Sequence, residues 1–155
     1  MRKYKLVAMG GTFDIIHKGH TALLQHALDV GESVIIGVPS DKFAVELGKN
    51  LRNDYNTRIA NLKKLLETSF PNRNYELRQL LEEFGPALYT KDVEALVVSK
   101  ETENKGVILN KNRVEKGLPP VDIVTVDLVL AKDGKRISST RIRRGEIDSD
   151  GNLLR

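Results

Sequence analysis

The chain has 155 residues, 40% of them hydrophobic, a net charge of +4 and no cysteine. Such a length makes one ordinary domain, 1–155, large enough to bury a real core. Lack of cysteine excludes disulfides and thiolate catalysis and fits a reducing, cytoplasmic compartment; no apolar run nears the roughly 18 residues of a membrane span. Met1-Arg2-Lys3-Tyr4-Lys5 leads straight into a strand-like run, too short and polar for a signal peptide. The mild positive balance suits nucleic acid or polyanionic small molecules. Four Phe, four Tyr and no Trp leave little surface for stacking single strands, which argues against nucleic acid.

Residues 5–9 form a short apolar run ending in glycine and predict a buried strand. After Gly10-Gly11, residues 21–30 predict an amphipathic helix with Leu23, Leu24, Ala27 and Leu28 on one stripe and Gly31 as its stop. Val34-Ile35-Ile36 lies in a second strand, 33–38, so the opening is a βαβ unit with parallel strands and a right-handed crossover. Residues 39–56 are polar and basic, with Lys42, Lys49 and Arg52. They read as a loop at the carboxyl edge of the sheet, where ligands usually sit. A helix follows over 58–70, closed by Pro71, then a strand over 75–81 and a short helix over 87–92. Residues 95–98 predict a fourth buried strand, and 103–116 a helix with Val107, Ile108 and Val114 inward. The fifth strand is expected over 121–131, and a last helix starts within Ile137-Ser138-Ser139-Thr140.

The chemistry concentrates in Gly10-Gly11-Thr12-Phe13-Asp14-Ile15-Ile16-His17-Lys18-Gly19-His20. Two glycines allow a sharp turn and close approach to a ligand. The start of a helix then aims unpaired N–H groups at an anion, with His17 and His20 on one face and Lys18 nearby. Zinc on the two histidines would want further ligands, typically cysteine, so no resident metal is expected. A second cluster, Lys132, Lys135, Arg136, Arg141, Arg143 and Arg144 around the Ser138-Ser139-Thr140 helix start, also suits phosphate. No paired-carboxylate site, G-x-S-x-G elbow or P-loop is present. Imidazole, hydroxyl, Lys and Arg suit a reaction whose nucleophile arrives ionised and needs alignment and charge stabilisation rather than a base.

The HxGH and ISST-type stretches resemble the two boxes of the nucleotidyltransferase superfamily. Gly37-Val38-Pro39-Ser40-Asp41-Lys42, Phe84-Gly85-Pro86-Ala87 and Leu96-Val97-Val98-Ser99-Lys100-Glu101-Thr102 make nearly the whole chain similar to phosphopantetheine adenylyltransferases of the archaeal and eukaryotic type. The bacterial branch usually has Thr where His17 stands, whereas cytidylyltransferases share the histidine. The resemblance implies an α/β fold, a Rossmann-like three-layer α/β/α sandwich around a five-stranded, mainly parallel sheet. It also implies ATP and 4′-phosphopantetheine as substrates, Mg²⁺ arriving with ATP, and dephospho-coenzyme A and pyrophosphate as products. FAD synthetase or glycerol-phosphate cytidylyltransferase is the alternative within the superfamily; a nucleotide sensor or nucleic-acid-binding domain is the alternative outside it. By the same resemblance Gly10, Gly11, Thr12, Phe13, His17 and His20 would bind ATP, His20 being foremost in the transition state. Ser138, Ser139, Thr140 and Arg141 would hold the β- and γ-phosphates. Lys49 would bridge the phosphates of ATP and acceptor, and Thr12 would also meet the acceptor.

Overall fold

The computed structural model of the protein describes residues 2–154, and its architecture grows outward from β1 (Tyr4–Gly10). Val7, Ala8 and Met9 are all buried, because β1 is the middle strand and both of its faces are covered. Helix α1 (Lys18–Val30) crosses to β2 (Gly31–Pro39), which pairs with β1 in parallel, Val7 opposite Val34 and Met9 opposite Ile36. Next come α2 (Asp41–Glu46), α3 (Tyr55–Ser69) and β3 (Asn74–Leu80), the last parallel to β2 at one sheet edge. The chain then returns through α4 (Pro86–Tyr89) to β4 (Ala95–Ser99) on the other side of β1. It continues through a 3₁₀ turn at Lys100–Thr102 and α5 (Asn104–Glu115) to β5 (Asp122–Val126), and ends with α6 (Ser139–Arg143). The strand order is β3-β2-β1-β4-β5 and every pairing is parallel.

Strand periodicity divides the core into two layers. Val7, Met9, Val34, Ile36, Val38, Ala95 and Val97 meet Leu24, Ala27 and Leu28 of α1 and Leu62 and Leu66 of α3. The alternate residues Ala8, Ile35, Leu96 and Val98 meet Ala87 of α4 and Leu109 of α5. Each fully buried Leu contributes about 1.5–3 kcal/mol. The outcome is the three-layer α/β/α sandwich expected from the sequence, with an all-parallel sheet. Among the described residues no helix is long and apolar enough to cross a membrane.

Four local expectations change. Helix α1 begins at Lys18 rather than Thr21, because His17 acts as its cap. The polar stretch 39–56 is not all loop: Ser40 Oγ accepts from the Phe43 amide at 3.1 Å and starts α2. The fifth strand stops at Val126; Leu130 bridges Arg136 in antiparallel fashion, and Ala131 joins Ile137 and Ile147 in a small separate cluster. Helix α5 turns its other face inward, leaving Val107 and Val114 72% and 59% exposed while Gly106, Leu109 and Arg113 are buried. Close approach decides that choice. A Cβ on Gly106 would lie 2.4 Å from Cδ1 and 2.7 Å from Cγ1 of Ile123, so a larger residue there would have to push Ile123 aside or move α5 away from β5. Arg113 meanwhile satisfies the carbonyls of Ala87, Thr90 and Pro119 at 2.6, 2.9 and 2.9 Å.

Candidate active site

The carboxyl ends of the strands open on a cavity of about 340 Å³, beside β1 where the chain switches from one half of the sheet to the other. Gly10 and Gly11 carry the chain off β1 into this cavity. The Gly11 amide donates to Gly37 O at 3.1 Å, tying the turn to β2. A Cβ on Gly11 would stand 2.8 Å from the Phe13 ring, so the tight turn needs glycine. Phe13 takes φ of +53° and is fully buried in the α1–α3 core layer. Its ring does not line the cavity; it backs His20, with ring centroids 4.8 Å apart. Phe13, expected among the ATP-binding residues, is therefore a support beneath the cavity, while Thr12 lines it.

The two histidines lie together at the cavity, rings stacked with centroids 3.9 Å apart. His17 Nδ1 accepts from the Gly19 amide at 3.0 Å, and His20 Nδ1 accepts from the His17 amide at 3.3 Å, a reciprocal capping box. Burial, with the Arg136 charge adding to it, lowers the pKa of His17 to about 4. Burial, with His17 adding to it, lowers that of His20 to about 3. Both rings are thus neutral near pH 7. With each Nδ1 accepting, the single proton of each ring is assigned to Nε2, which leaves two N–H donors in the tautomer suited to an oxyanion.

The same caps overturn one expectation. The α1 start was expected to offer unpaired amides, yet Lys18 N donates to Ser149 O, Gly19 N to His17 Nδ1, and His20 and Thr21 N to His17 O. The first turn is occupied by its own cap and by the C-terminal segment. Lys18 has an exposed side chain and is not among the cavity's lining residues. At this helix start the groups left facing the cavity are side chains.

Lys49, Lys105, Arg136 and Arg143 supply the cationic wall. Burial, then the charges of Lys105 and Arg136, lower the pKa of the Lys49 ammonium, which reflects how closely these cations gather. Ser138, Ser139 and Thr140 line the cavity at the start of α6. Ser139 Oγ locks that start to the glycine loop, accepting from Ile15 N at 3.3 Å and donating to Ile15 O at 3.0 Å. Arg141 does not join them. Its guanidinium pairs with Asp133 and Glu146 and donates to Arg136 O at 3.0 Å, away from the cavity lining. The helical residue two positions on, Arg143, is the one presented to the cavity, 2.5 Å from buried Asp14.

Asp14 escaped the sequence reading although it stands inside the histidine motif. It accepts from the amides of Arg52 at 3.0 Å and Asn53 at 2.9 Å as well as from Arg143. It therefore joins the glycine loop, the Lys49 segment and α6. Arg58 escaped too, since an arginine in the first turn of a helix reads as solvated, yet it is fully buried. Lys105 and Arg136 lay in charged stretches with no local signal separating them from their neighbours.

Comparison with known proteins identifies the family. Residues 8–145 match the cytidylyltransferase-like family. The phosphopantetheine adenylyltransferase of Methanothermobacter thermautotrophicus is 45% identical over 154 residues, covering 99% of this chain and 92% of that protein. That of Pyrococcus furiosus is 43% identical over 155 residues, covering 99% and 96%. A crystal structure of a protein of unknown function from Archaeoglobus fulgidus superposes with a TM-score of 0.72 at 32% identity, covering 79% of this chain and 89% of that one. With its fold, its paired boxes and these full-length relatives, the chain belongs to the cytidylyltransferase-like family, in the group of the archaeal phosphopantetheine adenylyltransferases.

Proposed function

We propose that this chain is a cytoplasmic enzyme of coenzyme A biosynthesis that transfers the adenylyl group of ATP to 4′-phosphopantetheine. The acceptor's phosphate oxygen bonds to the α-phosphorus, the bond from that phosphorus to the β-bridging oxygen breaks, and pyrophosphate leaves with dephospho-coenzyme A as the other product. The full-length relatives of that name support the substrates. The single structural observation that carries the reading is the neutral histidine pair facing a ring of cations in one cavity. A phosphate monoester is already ionised near pH 7 and requires no general base. What it requires is alignment, relief of repulsion between two polyanions, and donors where charge shifts onto the leaving group.

In this reading His17 and His20 donate Nε2–H to phosphoryl oxygens, His20 chiefly in the transition state. Lys49 lies between the phosphates of the two substrates, where a cation is worth most. Ser138, Ser139 and Thr140, with Arg143 in the place expected of Arg141, take the β- and γ-phosphates. Gly10 and Gly11 supply clearance, and Thr12 flanks the reacting centre. The apolar side chains of Leu80 at the end of β3 and of Phe84, Pro86 and Ala87 at and just before the start of α4 suit the uncharged pantetheine arm. The side bounded by β4 and β5, with Ser99, Thr102 and Val126, then receives the nucleoside.

Mg²⁺ fits this site only as a companion of ATP. Among the described residues no group of three or more histidine or acidic side chains converges as a metal site. The buried Asp14 carboxylate is already engaged by Arg143 and two amides. Arriving with ATP, the ion would supply charge shielding. The residues around it do the orienting.

Pyrophosphate release tests the reading, crossing ATP and CTP with phosphopantetheine, FMN and glycerol phosphate. ATP with phosphopantetheine should exceed every other pair by at least about 100-fold in kcat/KM. Preference for CTP or for another acceptor would reassign the substrates within the family.

A further inference from the structure

Helix α3 carries a guanidinium that the chemistry above does not use. Arg58 is 0% exposed, and its one guanidinium reaches three segments at once. Its Nη1 donates to Thr12 O in the glycine loop at 3.0 Å. Nη2 donates to Pro39 O at the exit of β2 and to Asp41 Oδ1 at the start of α2, both at 2.9 Å, while Nε donates to Asn53 O at 3.2 Å.

Lys49 lies in sequence between two of these anchors, Asp41 and Asn53. The chain between them has little slack. Gly48 N donates to Val45 O at 2.9 Å and Lys49 N to Ala44 O at 3.0 Å, so Lys49 is fastened to the end of α2, whose first residue Arg58 holds. Beyond Lys49, Asn53 is held by Arg58 and also by Asp14, through its amide at 2.9 Å and its side-chain Nδ2 at 2.7 Å. The third anchor, Thr12 O, belongs to the loop that lines the cavity opposite.

We propose that Arg58 is a positioning residue for Lys49: one buried planar fork fixes the Lys49 segment at both ends against the glycine loop, and so sets how far the ammonium stands from the reacting phosphates. This rests on the role given to Lys49 above. A planar guanidinium donates in several fixed in-plane directions at once, which a lysine ammonium cannot reproduce. Arg58→Lys keeps the charge and loses the fork.

The test is a double-mutant cycle on Arg58→Lys and Lys49→Ala, with the phosphopantetheine reaction of the wild type as reference. Arg58→Lys is expected to fold, to bind a non-hydrolysable ATP analogue within about threefold of wild type by calorimetry, and to lose about tenfold or more in kcat. Lys49→Ala should lose at least as much, and the double variant should lie within about threefold of Lys49→Ala alone, because the fork has nothing left to position. Asp41→Asn is the second variant and carries the test should Arg58→Lys not fold. It removes only the charged arm, at a side chain 50% exposed, and should lose about three- to tenfold with the same non-additivity. Multiplicative losses, or turnover within about threefold of wild type in the folded anchor variants, overturn the positioning role and leave the proposed reaction standing. Wild-type turnover in Lys49→Ala removes Lys49 from the reaction and this proposal with it, whereas a wild type inactive on phosphopantetheine overturns the substrate reading itself.

Discussion

His17 and His20 each use one ring nitrogen to cap α1 and hold the other in a cavity, so their protonation is tied to the fold. An imidazole with an ordinary pKa of 6.5 is pushed to about 4 in His17 and about 3 in His20, chiefly by burial. The unfolded chain therefore binds more protons than the folded one below about pH 6.5. Stability is fully present above that value and falls as pH drops toward the two folded values, by up to about 1.4 kcal/mol per pH unit for each ring. Ring-proton chemical shifts of both histidines should stay flat from about pH 8 to pH 5. A titration step near pH 6.5 in either would contradict the neutral pair. On the proposed mechanism His20→Ala removes a donor to developing charge and should cost about 100- to 1,000-fold in kcat. It also leaves the His17 amide without its acceptor, a helix-cap loss of about 0.5–2 kcal/mol. Turnover within about threefold of wild type would take His20 out of the mechanism.

At the level of elements, short helices decide which of several similar side chains reaches the cavity. Within α6, residues 141 and 143 are two apart and so face differently. Arg141 is spent on Asp133 and Glu146, while Arg143 faces the cavity beside Asp14. Arg143→Ala is accordingly expected to weaken binding of an ATP analogue by about tenfold or more, since it removes a charge-assisted contact. Arg141→Ala should lower the melting temperature and change that affinity by less than about threefold. Calorimetry and a thermal melt on the two variants separate these outcomes; the reverse pattern would return Arg141 to the phosphates. Helix α5 follows the same logic: Gly106 and Arg113 turned toward β5 and α4, against the apolar count, because one allowed close approach and the other found three carbonyls.

For the whole molecule, the order β3-β2-β1-β4-β5 divides the cavity into two sides around β1. The glycine loop and histidines stand at the division, and Leu80 at the end of β3 and Phe84 just after it form an apolar wall. If the pantetheine arm takes that wall, Phe84→Ala should raise KM for the acceptor by about tenfold while ATP-analogue affinity changes by less than about threefold. Initial-rate kinetics in both substrates, beside calorimetry with the nucleotide alone, measure the split. Loss of nucleotide affinity instead would exchange the two sides.

The sequence by itself determined the elements and the βαβ opening, because apolar runs, helical periodicity and Gly or Pro stops are local signals, while the resemblance carried by its two motif boxes implied the α/β sandwich and the mainly parallel sheet. It also brought His17, His20, Lys49, Gly10, Gly11, Thr12 and Ser138 to Thr140 into one set, and these do share a cavity. Tertiary structure alone decided the rest. Whether Phe13 lines or underlies the cavity depends on a backbone turn at φ +53° and on what packs behind it. Whether Arg141 or Arg143 lines the cavity depends on Asp133, Glu146 and Asp14 arriving from other segments. Arg58 had no sequence signal, since burial of a guanidinium is permitted only by acceptors at Thr12, Pro39, Asp41 and Asn53 that converge once the chain has folded. A charged side chain's address is a property of its partners, and those partners are distant in sequence.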